Sequence, residues 1–429
     1  MKIKVTLSQL DQAKNLREAA CVIIYLSLYE NFYASNLLER WKNKVHPTIR
    51  DYRLCQQICL GTIQRKLTFD FLAKKQSSKN RLKLKRAEKV ILYLSLFQKL
   101  FLEKVPLYAI ASEGKRLISL FASSHFQSFF EACLHQVNPE TFEALSNSKD
   151  SAGLSAYFSL PPVFIQTMLN NHGEEQAKDI FNVLNQAGKT HIRYRKKNKE
   201  LEFSSIDTTS PFFVFEKPYE RNIVEFLSSD FYIQNATTIE LTTSLCSLIP
   251  SKPQNLLDLC AAPGGKSFLI KDLYESIDLY MNDLDDHKTS IIKENLERLK
   301  LDAVLSQSPA QHFPLGKQFD LVLLDVPCSN TGVLHKRPEA RWRLEDPQNL
   351  LDLKKQQKQI LQHASQLVKP EGHLIFMTCS LLPSENEQQV RGFLKEHPNY
   401  KLLKQKTLLP SSQGFDGGFG ALMKKIDIS

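Results

Sequence analysis

Two kinds of fold are predicted in this one chain, an all-α part and then an α/β part on a doubly wound, mainly parallel sheet. Two patterns predict this. Residues 1 to about 140 carry apolar side chains at helical spacing, with prolines between the periodic runs. After about residue 231, short apolar runs alternate with helical ones, the order that builds a doubly wound sheet. Length agrees: 429 residues, 42% of them hydrophobic, can sustain two or three cores. The expected division is a helical domain over 1–140, a small α/β connecting domain over 141–230 and a larger α/β domain over 231–429.

In the first part, "AACVIIYLSLYENFYASNLLERW" and "RDYRLCQQICLGTIQRKLTFDFLAKK" both read as helices. Further helices are predicted at about 86–102, 106–122 and 125–137, so a helical bundle is expected. Cys55 and Cys59 lie four apart on one helix face. With no other ligand types nearby, core packing is the expected role for both. In 141–230, "IRYRKKNKELEFSSI" and "PFFVFE" read as strands, and "EEQAKDIFNVLNQAG" as a helix capped by Gly188.

Net charge is +10, which favours a polyanionic partner modestly. Two stretches concentrate it: "KKQSSKNRLKLKRAEK" (Lys74 to Lys89) and "KTHIRYRKKNK" (Lys189 to Lys199). Each alone is as well explained by a solvated face; together they suggest contacts to phosphates, which would set affinity and register rather than sequence choice. The eight cysteines include no C-x-x-C and no dense cluster, so disulfides and structural zinc are poor readings. The stretch "MKIKVTLSQLDQAKN" lacks a signal peptide's apolar core. "VILYLSLFQKLFL" is too short and too interrupted to span a bilayer. A soluble, cytoplasmic protein is expected, with no membrane and no metal.

Over 231–429 the predicted order is strand "NLLDLC", helix 265–275, strand "IDLYMND", helix 286–299, strand "AVLSQ", strand "FDLVLLDVP", helix 349–367, strand "GHLIFMTCS" and helix 384–396. Ligands of such sheets bind at the carboxyl ends of the strands, and four strand ends here carry chemistry. The first, "LLDLCAAPGGKS", ends in a small-residue turn before a helix start, where backbone can approach a ligand. It looks like a phosphate loop, but that motif needs glycine where Cys260 stands. The second offers Asp283, placed as the acid that accepts hydrogen bonds from ribose hydroxyls. The third offers Asp325, Pro327 and Cys328; the fourth offers Thr378, Cys379 and Ser380. One cysteine after a strand is usually structural. Two, converging on one sheet edge beside a carboxylate, are not required by packing. A thiolate adding to carbon 6 of a pyrimidine makes carbon 5 reactive toward a methyl donor, and a second thiol suits the release step.

These motifs jointly resemble the RsmB/Sun (Fmu) family of RNA cytosine-5 methyltransferases. The resemblance is carried by "LDLCAAPGGK", Asp283, "LLDVPCSNTGVLHKRPEARW" and "TCSLLPSENEQQV". "GGFGALMKK" is similar to the family's closing strand, and the helices around "RLCQQICLGTIQRKLTFDFL" look like its NusB-like RNA-binding domain. The resemblance implies a Rossmann-like class I methyltransferase domain behind a NusB-like domain. It implies S-adenosylmethionine as cofactor, small-subunit (16S) rRNA as the RNA partner, and a monomer. By position, the backbone of Cys260, Ala261, Ala262, Pro263, Gly264, Gly265 and Lys266 would cradle the methionine end of the cofactor and Asp283 its ribose. Asp325 would lie between cofactor and base, Cys379 would be the nucleophile, and Cys328 would help release the product. Arg341 and Trp342 lie in a segment the family places near RNA. Three departures from the family pattern stand out. "DVPC" replaces "DAPC". Ser308 and Pro309 stand where an acid is common, which would weaken the adenine contact. Gln234 and Asn235 replace "QD" ahead of the domain. A P-loop-like hydrolase and a non-catalytic RNA-binding protein are the competing readings; the first fails at Cys260, and the second leaves Asp325, Cys328 and Cys379 unexplained.

Overall fold

The structure, a computed structural model, describes residues 5–77, 83–148, 150–197, 201–218 and 221–427. Its contacts divide the chain into two compact units: Met1–Asn185 with Arg337–Glu345, and Gln186–Lys336 with Asp346–Ser429.

The first unit is helical throughout its described residues. The predicted helices occur at Arg86–Phe101, Leu107–Phe121 and Gln127–Gln136. Leu16–Tyr29 begins where Asn15 accepts the N–H groups of Arg17 and Glu18, each at 3.0 Å, the side-chain cap its sequence offers. Ala19 to Leu26 of this helix are buried against Ile58, Ile91 and Leu94 in one core. Cys55 and Cys59 are fully buried there, their sulfurs 3.9 Å apart.

The expected boundary at 140 is not where the structure divides. Pro139–Glu143, Ser151–Phe158 and Pro162–Val183 are helices of the first unit, and the strands expected in 141–230 begin only at His191. The apolar positions of 141–185 recur at helical spacing and find their partners in the helical core. The last of these helices stops at Val183, five residues before the expected cap. Gly188 has a different reason to be small: a Cβ there would lie 2.6 Å from His335 and 2.8 Å from Lys336.

Arg337–Glu345 joins the helical unit through buried contacts. The Arg341 guanidinium, fully buried, donates to the carbonyls of Leu184 (2.7 Å), Ser159 (3.1 Å) and Phe158 (3.3 Å) and to Asn185 Oδ1 (3.0 Å). Trp342 Nε1 donates to the Ile63 carbonyl at 2.9 Å. In the segment that the resemblance places near RNA, the Arg341 and Trp342 side chains are thus turned inward: both satisfy main-chain carbonyls at the ends of buried helices. Arg341→Ala leaves those acceptors unpaired, and a loss of about 3 kcal/mol is expected in urea unfolding of the helical unit followed by far-UV circular dichroism. A loss under about 1 kcal/mol would contradict the assignment.

The second unit holds two sheets. The small one is antiparallel, in the order β2 (Phe212–Glu216), β1 (His191–Lys197), β3 (Phe231–Ile233). In the basic run Lys189–Lys199, His191–Lys197 form β1, Lys189 and Thr190 lead into it, and residues 198 and 199 lie outside the described residues. Arg193 and Arg195 both pair with Asp272 at 2.7 Å, and Arg193 is fully buried. Lys189 pairs with Glu216 at 3.0 Å and Lys196 with Asp230 at 3.3 Å. The phosphate contacts expected from this run are therefore not available to its arginines. In the other basic run, residues 78–82 lie outside the described residues, and Lys89 pairs with Asp70 at 3.3 Å.

His191 on β1 is buried, and its Nδ1 accepts the Ala236 N–H at 3.1 Å at the start of helix Ala236–Cys246. Burial pushes its pKa from 6.5 down to about 4; Lys336 and Lys189 add to this, while Asp416 and Glu216 oppose it. The fold thus holds the ring neutral while the unfolded chain protonates it near pH 6.5. The stability it contributes is complete above that pH and is lost as pH falls toward 4. The melting temperature is expected to fall across this window, and to fall less in His191→Asn, which keeps an acceptor and cannot protonate. Equal slopes in thermal melts of the two proteins would refute this.

The large sheet runs β6-β5-β4-β7-β8-β10-β9, formed by β4 (Asn255–Asp258), β5 (Asp278–Asp283), β6 (Val304–Gln307), β7 (Phe319–Asp325), β8 (Val368–Thr378), β9 (Tyr400–Leu408) and β10 (Gly418–Lys425). The five strands from β6 to β8 are parallel; β10 is antiparallel to both β8 and β9. The parallel part is the sheet expected from the strand–helix alternation. The strand β9 was not among the predicted elements: its burial alternates along the edge of the sheet, a weaker signal than the continuous apolar runs of β4 and β7. The chain steps outward from β4 to β6, then returns to add β7 beside β4. That reversal is the topological switch point where such sheets bind ligands.

Candidate active site

The loop after β4 is shaped by its own residues. Gly264 sits at φ 105°, a conformation that disfavours any side chain, and its N–H donates to the Ala261 carbonyl at 2.6 Å. Helix Gly265–Leu273 starts directly after it. Asp258, at the end of β4, accepts from Ser267 Oγ at 2.6 Å and from Cys260 N at 3.3 Å. It is a residue the sequence reading passed over, although it stands inside the quoted "LLDLC". Burial, helped by the charge of Asp325, pushes its carboxyl up to about 7, against the hydrogen bond from Ser267 and the charge of Lys266. A further cation nearby would restore its ionised form.

Asp283, at the end of β5, accepts the Ala262 N–H at 3.1 Å and the Asp285 N–H at 3.3 Å. It therefore ties the loop to the second strand. Asn282 beside it does the same for the third: its Oδ1 accepts Ser308 N (3.1 Å) and Ser308 Oγ (3.0 Å), and its Nδ2 donates to Ser308 O (2.9 Å). Ser308 thus joins strand ends. Val326 of "DVPC" is buried in the core, so that departure points away from the site.

A cavity open to solvent lies against this loop, lined by Ala261, Ala262, Pro263, Gly265, Lys266, Asp258 and Asp325 from the strand ends, and by Tyr232, Ile233, Gln234 and Thr238. Cys260, Gly264 and Asp283 are not in this lining. Burial and neighbouring carboxylates keep the Cys260 thiol protonated. Gln234 holds the wall together: its Nε2 donates to the Gly265 carbonyl at 2.8 Å and its Oε1 accepts from Arg193 Nε at 3.1 Å. Asn235 caps helix Ala236–Cys246 by accepting the Thr237 N–H at 2.8 Å.

A second, smaller cavity shares Lys266, Asp325 and Thr238 with the first and is lined further by Cys379, Thr378, Met377, Asn235, Thr237, Val333 and Asp416. Asp325 Oδ2 and Lys266 Nζ are 2.5 Å apart at the junction. Burial alone would push the Lys266 pKa down; the charge and hydrogen bond of Asp325, with smaller contributions from Cys379 and Asp258, outweigh it and hold the ammonium charged.

The two predicted thiols meet. Cys328 Sγ and Cys379 Sγ are 3.1 Å apart, and Cys379 Sγ lies 3.1 Å from Asn330 Oδ1. The hydrogen bond to Cys379, then burial, hold the Cys328 thiol protonated well above its ordinary pKa. Of the two sulfurs, Cys379 is the one that lines the second cavity. The loop after β7 reaches the loop after β8 because Gly332 has no side chain. A Cβ there would lie 2.3 Å from the Gly417 carbonyl oxygen, while its N–H donates to the Cys379 carbonyl at 2.9 Å. Among the described residues no group of three or more His, Cys, Asp or Glu could hold a metal ion, and no helix is long and apolar enough to cross a membrane.

Comparison with known proteins places this geometry. Residues 245–424 match the family described as 16S rRNA methyltransferase RsmB/F, and residues 14–139 match the NusB family. The chain is 27% identical over 437 residues to the ribosomal RNA small subunit methyltransferase B of Vibrio cholerae, covering 96% of this chain and 98% of that protein. The protein of the same name from Proteus mirabilis is 26% identical over 427 residues, covering 96% and 99%. Among solved structures, PH0851 superposes with a TM-score of 0.75 at 21% identity, over 99% of this chain and 100% of that one. A methyltransferase homolog protein from Pyrococcus horikoshii has a TM-score of 0.56 at 22% identity, over 65% and 100%. These two support the fold alone. Residues 245–424 are thus a methyltransferase domain of the RsmB/F family, and residues 14–139 of the helical part a NusB-family domain.

Proposed function

We propose that this protein transfers a methyl group to carbon 5 of a cytidine in RNA, through a covalent bond between Cys379 and carbon 6, with S-adenosylmethionine as donor. The relatives' name, ribosomal RNA small subunit methyltransferase B, makes small-subunit (16S) rRNA the substrate of choice. The observation that carries the chemistry is the pairing of two thiols, 3.1 Å apart, one of them in a cavity that shares Asp325 and Lys266 with the cavity of the glycine loop.

The cofactor fits the donor set. Its α-ammonium group is the cation that Asp258 lacks, and the N–H groups at the start of helix Gly265–Leu273 suit its carboxylate. Ala261 to Pro263, Gly265 and Lys266 would hold the methionine end; Asp283 would hold the ribose directly or through the loop it fixes. When bound, S-adenosylmethionine supplies an electrophilic methyl group.

The protein's own groups do the rest. Cys379, as thiolate, adds to carbon 6, and the Cys328 S–H and the nearby Lys266 charge stabilise that thiolate beforehand. Asp325, held by Lys266, accepts a hydrogen bond from the cytosine amino group, and the Lys266 ammonium offsets the negative charge that addition places on the ring. Once carbon 5 is methylated, its proton must leave for Cys379 to be expelled. While Cys379 is bonded to carbon 6, its hydrogen bond no longer raises the Cys328 thiol, which gives its proton to water. The Cys328 thiolate then takes the carbon 5 proton, that electron pair restores the ring double bond, and Cys379 leaves as a thiolate. The base must leave its stack to reach the thiol, so an unpaired target is expected.

Cys328→Ala tests this. It is expected to slow addition, by loss of one hydrogen bond to the thiolate, and to block release, so that a covalent protein–RNA adduct survives denaturing electrophoresis. Nucleoside mass spectrometry of wild-type product should show 5-methylcytidine. Free turnover by the variant, or 5-methyluridine as product, would overturn the reading.

A further inference from the structure

Beneath the two thiols lies a carboxylate that the mechanism above does not use. Glu385 is fully buried, in the turn before helix Glu387–Glu396, and every group that donates to it is neutral. Its Oε1 accepts the Ser329 N–H at 2.9 Å and Gln357 Nε2 at 2.9 Å; its Oε2 accepts Ser380 Oγ at 2.5 Å and Ser329 Oγ. Ser329 directly follows Cys328, and Ser380 directly follows Cys379. One side chain therefore grips the chain immediately after each thiol. The neighbouring groups support the same two points. Gln357 Nε2 also donates to the Pro327 carbonyl at 2.9 Å, and Asn386 Nδ2 donates to the Ser380 carbonyl at 2.9 Å. Thr331 Oγ1 lies 3.1 Å from Ser380 Oγ and accepts the Leu381 N–H at 2.8 Å.

Burying a carboxyl group with no cation against it is costly. Its two oxygens accept four hydrogen bonds here, from both thiol loops and from Gln357, so one side chain serves as the common anchor of the set.

We propose that Glu385 is a positioning residue for the paired thiols, a shared acceptor that sets Cys328 and Cys379 at the separation their two steps require. This rests on the proposed function for its consequence in catalysis, while the thiol geometry can be tested without it. Glu385 contacts neither cavity, so its loss should act on the rate of the chemical steps rather than on binding.

Glu385→Gln presents one acceptor oxygen and two new N–H donors to the same four donors. Misplacement of a reacting group by about 1 Å costs about 100-fold in rate, so kcat is expected to fall about 100-fold. The KM values for RNA and for the cofactor are expected to stay within about twofold. A second readout is independent of methyl transfer. Phenylarsine oxide, a trivalent arsenical, bonds two sulfurs at once while its oxygen leaves with the two thiol protons as one water, so the native wild-type protein should capture it on Cys328 and Cys379. Peptide mass spectrometry would locate it, with Cys328→Ser as background. Capture should be lost or strongly slowed in Glu385→Gln. Wild-type kcat together with wild-type capture in that variant would overturn the proposal, as would a rise in KM at constant kcat. If the variant lacks a cooperative melt, Ser329→Ala and Ser380→Ala decide. Each is expected to lower kcat about tenfold, and the double variant to resemble the worse single, because Ser380→Ala frees its loop from the common acceptor and Ser329→Ala leaves only the Ser329 N–H on it. Multiplying effects would count against it. Should the wild-type protein transfer no methyl group to cytosine, the proposed function fails, and arsenical capture alone tests the role of Glu385.

Discussion

Cys379→Ala is expected to lose methyl transfer by at least about 10⁴-fold, since removal of a covalent nucleophile leaves only binding and positioning. The direct addition of a pyrimidine carbon 5 to a methyl donor has no support without the carbon 6 bond, so no other group substitutes. Cys328 does not take over, because burial and its hydrogen bond to Cys379 keep it protonated and it is absent from the cavity lining. Cofactor binding, measured by calorimetry, should be unchanged, as Cys379 lines the other cavity. The variant should also form no adduct when combined with Cys328→Ala. Methyl transfer at the wild-type rate would remove Cys379 from the mechanism and leave the cavity without a nucleophile.

Asp325→Asn is expected to lower kcat about 10³-fold, within the range for loss of a group that handles charge in the transition state. Two consequences add. The cytosine ring loses its acceptor, and Lys266 loses the partner that holds it charged. The Lys266 pKa should then fall, because burial is the largest influence on it and is no longer outweighed. The residual activity of the variant should therefore depend on pH where that of the wild-type does not, failing as pH rises through the lowered Lys266 pKa. A kcat within tenfold of wild-type (about 1.4 kcal/mol) would place Asp325 outside the reacting centre.

Much of the site could be read from neighbours in the chain. The glycine loop, the acid after the second strand and the thiol after each of two apolar strands all declare themselves within a few residues, because tight turns and strand ends are made locally. The reading went astray where a residue's partner is far away. Arg193 and Arg195 looked like a basic patch, but Asp272 meets them across 79 and 77 residues of chain. Arg341 and Trp342 looked like part of an RNA-binding segment, but their acceptors belong to helices more than 150 residues earlier. The motif "TCSLLPSEN" contains Glu385, yet nothing in it says that this carboxylate also holds Ser329, 56 residues before it.

What the order of residues settled was the kind of each element and the chemistry at each strand end. Periodicity, glycine and proline act over one turn or one strand and need no distant contact. What folding settled was which charges are exposed, where the units divide, and how far apart the two sulfurs sit. A buried cation and a solvated one have the same letter, and the difference between them is a carboxylate or a row of carbonyls that arrives only when remote segments pack. The 3.1 Å between Cys328 and Cys379 has the same origin: it is set by the pairing of β7 with β8 and by the carboxylate beneath them, neither of which is written beside either cysteine.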